Sequence, residues 1–332
     1  MGIVLRRGES VLNRFFKADG MTLYQRNTRA VIIDVLVALI PAWIASIWLF
    51  GYEAFAVQAV CVAAALGSEY LIGYWMKRPR TVGDLSSVVT GLLLSFALPA
   101  NLPLWQAVIG SVAAIASAKH LLGGFGKNFL NPALFGYIVL WILFPDTMTR
   151  FPTPLAWMGQ VDAVGGAEPL VILMGNPAVK FDALQLVFGV YGGGMGATCL
   201  PALLLGGVYL CWRRVVHPVL PLVYVGTTFV LTWLSGADPV VHTLCGGLLL
   251  GAVFMATDPA TCPASVFGKV LFALGCGGFT VLMRRFGSVS GGVALAILGM
   301  NVLTPYIDQL AVWLSKITEK QADEREEVTA EK

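Results

Sequence analysis

The sequence is poor in charge. Asp, Glu, Lys and Arg together make up 12% of its 332 residues, about half the share in soluble domains. With 57% hydrophobic residues and a mean hydropathy of +0.76, that scarcity excludes a water-soluble globular domain. The net charge of +3 therefore reports membrane orientation, not nucleic-acid binding. Paired cysteines are missing too. None of Cys61, Cys199, Cys211, Cys245, Cys262 and Cys276 belongs to a C-x-x-C pair, and most lie in apolar segments. That argues against an iron–sulfur or other metal site held wholly by this chain, and leaves open a cluster shared with a partner protein. Residues 1–29 carry Arg6, Arg7, Arg14, Lys17, Arg26 and Arg29 without an apolar core, so no cleavable signal peptide is expected.

What the chain has instead is a series of apolar runs, many of them near the twenty residues that cross a hydrocarbon layer of about 30 Å. In the first half they cover 30–51, 54–76, 88–98, 104–118 and 129–144. In the second they run from about 184 to 212, then 218–234, 244–256, 266–283 and 289–314. The expected fold is an all-α integral membrane protein of about ten transmembrane helices. Basic loops, among them Lys77, Arg78, Arg80, Lys119, His120 and Arg213–Arg214, place the N-terminus and those loops in the cytoplasm. The divisions are a cytoplasmic segment 1–29, five spans in 30–145, an external loop 146–190, five spans in 191–314, and a charged cytoplasmic tail 315–332, expected to be solvated and mobile. Arg284 and Arg285 fall on the outer side of this scheme and count against it.

The halves echo each other. Gly91-Leu92-Leu93-Leu94 matches Gly247-Leu248-Leu249-Leu250, and each is followed by a P-A-x-x-P turn, Pro99–Pro103 and Pro259–Pro263. Phe125-Gly126 and Phe286-Gly287 extend the echo; chance matches in a Gly- and Leu-rich chain are the bland account. Five spans per copy force opposite orientations, the inverted-repeat architecture of transporters. The runs 88–98 and 244–256 are too short to cross alone, and prolines at their ends interrupt backbone pairing, so these broken helices must be buried in protein or line a cavity.

The segment Gly192 to Leu200, GGGMGATCL, is the most informative. Consecutive glycines let backbone N–H groups approach a ligand, and Thr198 stands near a helix start, where a phosphate is favoured. The bland alternative is a threonine capping that helix. The segment also resembles the flavin-attachment motif of a family formed by two homologous membrane proteins. These are the D subunit of the Rnf (ferredoxin:NAD oxidoreductase) complex and the B subunit of the sodium-pumping NADH:quinone reductase. The resemblance continues through Asp84–Pro99, Phe125–Ala133, Met255–Pro259 and Asn301–Asp308, in order, and covers nearly all of 30–314. The length suits the Rnf protein better. One departure is the glycines where other members carry Ser or Asp before the motif.

The resemblance implies a urea-transporter-like inverted repeat in a bacterial inner membrane, with both termini cytoplasmic and the attachment loop outside. It implies covalent FMN on Thr198 through a phosphoester made by a flavin transferase, with Gly194, Met195, Gly196 and Ala197 as the rest of the motif and Asn131, Thr257 and Asp258 as further cofactor-binding candidates. A second, non-covalent riboflavin is expected. The chain would be one component of an ion-pumping (Na⁺ or H⁺) oxidoreductase. Its partners would be a flavin-bearing G subunit, iron–sulfur subunits and NADH- or ferredoxin-binding subunits, since no nucleotide fingerprint is present here. Among acids, Asp258 in the second broken turn and Glu69 inside the second span are ion-pathway candidates. Turn capping is the bland account of Asp258, and snorkelling or a pair with Lys77 or Arg78 that of Glu69. Asp34 is expected in an interfacial ion pair with Arg29 or Arg26. Lys127 and Asn128 are weaker candidates, and His242 is expected to be a satisfied interface residue. The rival class is a cofactor-free solute transporter or channel with the same repeat.

Overall fold

The computed structural model describes residues 28–76, 82–116, 130–159, 166–286 and 291–330. All regular elements among them are helices. Lys77, Arg78, Arg80, Lys119, His120, Phe125, Gly126, Lys127, Asn128 and Gly287 lie outside the described residues, so the basic loops and part of the repeat rest on sequence alone.

The first element, α1, runs Thr28–Trp75. As one straight helix it would reach about 70 Å, more than twice the hydrocarbon thickness. It breaks at Gly51, whose φ of 71° and ψ of −154° are non-helical and open to glycine at little cost. The break strands the carbonyls that precede it. Leu155 N–H donates to Leu49 O at 2.6 Å, and Trp157 Nε1 donates to Trp48 O at 3.1 Å, so residues of the 146–190 loop cap the hinge. Trp157→Phe keeps the ring against Gly51 and deletes one donor. A loss of about 1 kcal/mol is expected, read as a lower melting midpoint in detergent with unchanged elution volume.

The rest of the first half is α2 (Ser86–Ala97), α3 (Leu104–Ala113) and α4 (Pro132–Leu143). The loop follows, holding the short helices α5 (Pro145–Met148), α6 (Pro169–Gly175) and α7 (Ala183–Phe188). The second half has α8 (Leu200–Trp212), α9 (Val219–Leu234), α10 (Pro239–Leu244), α11 (Leu248–Leu250) continued by a π turn over Gly251–Met255, α12 (Val266–Phe286) and α13 (Gly292–Ala330). Three stretches are long and apolar enough to cross a membrane: Arg29–Trp75, Val266–Phe286 and Gly292–Thr318. Large aromatics stand exposed at helix ends, including Trp75, Trp212, Trp233 and Phe286, as interfacial belts require.

The run from 184 to 212 divides at its glycine run, as the sequence implies: α7 stops before it and α8, 13 residues or about 20 Å, follows it. Two expectations change. The loop is not structureless, since prolines at the first turns of α5 and α6 start helices there. The tail is not a loose segment either. Helix α13 continues through Ala330, over a stretch rich in Ala, Glu, Lys and Gln, which are strong helix formers.

Helix α1 packs on α2, α3 and α8, α9 packs on α12, and α13 packs on both α12 and α4. Contact is close where α8 crosses α1: a Cβ on Gly206 would sit 2.2 Å from Ala38 O. The two short elements matter most. Helix α2 has 12 residues, about 18 Å, and its last carbonyls have no helical donors. The other half supplies them: Met195 N–H donates to Leu98 O and Gly196 N–H to Phe96 O, both at 3.0 Å. In return, Asn131 Nδ2 of the first half donates to Met255 O, at the end of the π turn, at 3.1 Å. Each broken helix is thus capped by the opposite half.

Candidate functional site

The site is built from the loop between α7 and α8. Helix α7 stops at Gly189, which takes φ 81° and donates to Gln185 O. Gly192–Ala197 then cross the end of α2. Gly194 and Gly196 are there for space: a Cβ on Gly194 would lie 2.9 Å from Phe96 O and Ala97 O, and one on Gly196 would lie 2.2 Å from the Phe96 ring. Ala197 N–H closes a turn onto Gly194 O at 2.9 Å. Met195 is 1% exposed and its Sδ accepts from Gln58 Nε2 at 3.4 Å. The Tyr191 hydroxyl donates to Leu244 O at 2.8 Å, tying the loop to α10.

Thr198 follows, 2% exposed, and its hydroxyl makes no hydrogen bond. The capping account fails on geometry. Helix α8 begins at Leu200, its N-cap is Cys199, and no side chain caps it. A buried hydroxyl without a partner costs about 1–3 kcal/mol, so this one calls for an explanation. The loop itself is packed into the protein: Gly192, Gly193, Gly196 and Ala197 are all buried.

Thr198 lines a cavity of about 50 Å³ together with Ala97, Tyr137, Glu168, Gly246 and Met255. That is several times the space one water needs, enough to admit a phosphoryl-sized group. Ala97 ends α2 and Met255 ends the π turn, so both broken helices finish on this cavity. Four lining residues, Gly193, Gly194, Gly246 and Gly247, have N–H groups that donate to no carbonyl. An orphan hydroxyl surrounded by idle amides is an anion-receiving arrangement.

The other nominated residues do not all gather here. Asn131 is 2% exposed, caps α4 by accepting from Leu134 N–H at 3.2 Å, and reaches the second half through Met255 O. Thr257 lines a different cleft, with Arg214, His217 and Lys269, and its hydroxyl donates to Val253 O at 2.6 Å. Asp258 accepts from Ala260 N–H at 3.1 Å, as the turn-capping account requires. Asp308 and Thr304 of α13 clamp the same turn, accepting from Ala264 N–H at 3.1 Å and donating to Thr261 O at 3.0 Å. Glu69 is 2% exposed within α1, buried among protein side chains near the helix end. Asp34 is paired as expected, and the partner seen is across the halves: Arg213 Nη2 lies 3.0 Å from its Oδ1, and Tyr209 Oη donates to the same oxygen at 3.2 Å.

Sequence reasoning missed three residues around the cavity: Tyr191, Glu168 and Arg284. Glu168 is 3% exposed, although its loop setting suggested solvent. Arg284, the exception to the orientation rule, is also 3% exposed. It donates to His242 O, to Cys245 O at 3.1 Å and to Gly246 O at 3.3 Å, capping the end of α10. Being consumed inside the protein, it says nothing about topology. A buried cation in an apolar helix needs acceptors nearby, but the sequence does not show which of Arg284 and Arg285 turns inward.

Residues 19–313 match the NQR2, RnfD, RnfE family. The chain is 39% identical over 289 residues to the D subunit of the Na⁺-translocating ferredoxin:NAD⁺ oxidoreductase complex of Acetobacterium woodii, covering 86% of this chain and 89% of that one. It is 39% identical over 294 residues to the D subunit of the proton-translocating ferredoxin:NAD⁺ oxidoreductase complex of Clostridium ljungdahlii, covering 83% and 88%. Identity is 35% over 316 residues to the D subunit of the ion-translocating oxidoreductase complex of Stutzerimonas stutzeri, covering 84% and 89%.

Proposed function

The chain belongs to the NQR2, RnfD, RnfE family, and we propose that it is the flavin-carrying membrane D subunit of a bacterial ion-translocating ferredoxin:NAD⁺ oxidoreductase complex. The observation that carries the flavin is Thr198: a buried, unpartnered hydroxyl beside four idle N–H groups at the residue the attachment motif designates. FMN esterified there through its phosphate would supply one- and two-electron redox chemistry. The chain's own residues do the holding. Gly193, Gly194, Gly246 and Gly247 offer N–H groups to phosphate oxygens, Tyr191 fixes the loop to α10, and the Phe96–Leu98 carbonyls fix it to α2. The burial of Thr198 would shield the ester from bulk water.

The reading extends to the whole body. Ten spans in two inverted five-helix repeats are supported by the reciprocal capping of the two broken helices and by the matching P-A-x-x-P turns. The inner membrane, cytoplasmic termini and an outer attachment loop are supported by the basic loops; burial removes Arg284 from the charge count, while the exposed Arg285 still counts against the scheme. Electron donors and acceptors are handled by flavin-bearing, iron–sulfur and nucleotide-binding subunits, and a non-covalent riboflavin completes the cofactor set. The test is the denatured chain itself, expressed with and without a flavin transferase: a fluorescent band with an FMN-sized mass increase is expected only with it. A chain that stays colourless with the transferase overturns the reading in favour of a cofactor-free transporter.

Asp258 and Glu69 are the proposed ion-pathway acids. Asp258→Asn keeps an acceptor for Ala260 N–H and deletes the charge. Ion movement in reconstituted vesicles should fall several-fold with complex assembly intact. Wild-type rates would leave Asp258 as a turn cap.

A further inference from the structure

The cavity has two walls, and only one belongs to the attachment loop. The opposite wall is the turn Cys245–Gly247, where Gly246 and Gly247 take φ of 69° and 67°. A Cβ on Gly247 would come within 3.9 Å of Ala197, the neighbour of Thr198, so the turn faces the loop directly. Arg284 lies behind it: a Cβ on Gly246 would meet the guanidinium at 2.5 Å. Its donations fall on the carbonyls of Cys245 and Gly246. Those carbonyls share peptide units with the N–H groups of Gly246 and Gly247, the two idle donors on this wall.

A cation bonded to a peptide oxygen polarises the N–H at the other end of the same unit, and linked hydrogen bonds strengthen one another in a low-dielectric interior. A guanidinium spans several acceptors with rigid geometry, which an ammonium cannot do. A phosphodiester at Thr198 would carry one negative charge in a place where an uncompensated anion is costly. Glu168, which lines the same cavity, already interacts with the Arg284 charge, so a phosphoryl group there would share that cation with it. We infer that Arg284 is the positioning residue of the phosphoryl site: acting through the Cys245–Gly247 turn, it aims two backbone N–H groups at an anion on Thr198. This rests on Thr198 as the attachment point, and goes beyond it by naming the cation that makes a buried phosphoryl group tolerable.

The experiment compares hydrogen exchange in the peptide covering Cys245–Leu248 between flavin-bearing chain and its Thr198→Ala counterpart, first in the wild-type background and then with Arg284→Lys. In the wild-type background the adduct should slow exchange of this peptide at least tenfold. With Arg284→Lys the adduct should give little or no slowing, and flavin attachment by the transferase should be several-fold slower. A merely structural role would raise exchange equally with and without adduct, which overturns the proposal. So does an adduct that leaves wild-type exchange unchanged, a comparison that stands even if Arg284→Lys fails to fold. A wild-type chain bearing no adduct on Thr198 overturns the underlying reading as well, and intact mass distinguishes that case from the others.

Discussion

Thr198→Ala should abolish covalent flavin completely while leaving the fold almost untouched. The chemical half follows from the attachment reaction: without a side-chain oxygen no phosphoester can form. The stability half follows from the structure. The hydroxyl has no hydrogen-bond partner, so its removal strands nothing, and it does not cap α8. What is lost is the packing of one methyl group against Gly193, where a Cβ would lie 3.0 Å from Thr198 Cγ2. The expected cost is within about 1 kcal/mol, offset by removing an orphan polar atom. In-gel fluorescence and intact mass read the first effect, and thermal melting of the detergent-solubilised chain reads the second. Thr198→Ser, which keeps the oxygen, should retain weak attachment. An FMN-sized adduct surviving in the alanine variant would mean that Thr198 is not the site.

The second large effect is expected from Gly196→Ala. The new methyl would be placed 2.2 Å from the Phe96 ring carbon, and Phe96 is fully buried, so neither partner can yield cheaply. Overpacking of this kind costs about 1–3 kcal/mol. Here it would also pull the Gly196 N–H off Phe96 O, leaving a helix end unpaired in an apolar setting, where each lost bond costs several kcal/mol. Loss of folded material on size exclusion is expected, together with loss of flavin attachment. Gly226→Ala is the control, since a Cβ there meets nothing within 4 Å. If Gly196→Ala behaves like the control, the docking of the loop on α2 does not hold the two halves together.

Hydropathy made the membrane setting and the positions of most helices legible, because long apolar runs bounded by basic residues have few alternatives. The broken helices were legible for the same reason in reverse: eleven or thirteen apolar residues followed by Pro99 or Pro259 cannot span. Thr198 stood out through the resemblance of its segment to an attachment motif, the glycine run alone being equally open to a helix cap. The hidden parts depended on contacts between residues distant in sequence. Nothing local to Arg284 says that it turns inward to three carbonyls of α10. Nothing local to Asp34 selects Arg213 over the nearer Arg29. The glycine run marked a break before α8, but nothing local said that the backbone leaves the helix there to reach α2. The tail looked mobile from its charge alone, yet its residue types favour helix once α13 has nucleated it.

The reciprocal capping has a consequence for how the chain is made. As it leaves the ribosome, α2 emerges with Phe96 and Leu98 carbonyls whose donors, Gly196 and Met195, have not yet been synthesised. Until they are, that helix end cannot rest in lipid without an unpaired backbone, so it must stay near water or the insertion machinery. Maturation of the first half therefore waits for the second, and the two settle in one step. The same step closes the loop over Thr198, which is 2% exposed once docked. An enzyme that modifies this residue has its opening during biogenesis, before the halves interlock, and a chain that misses that opening stays bare.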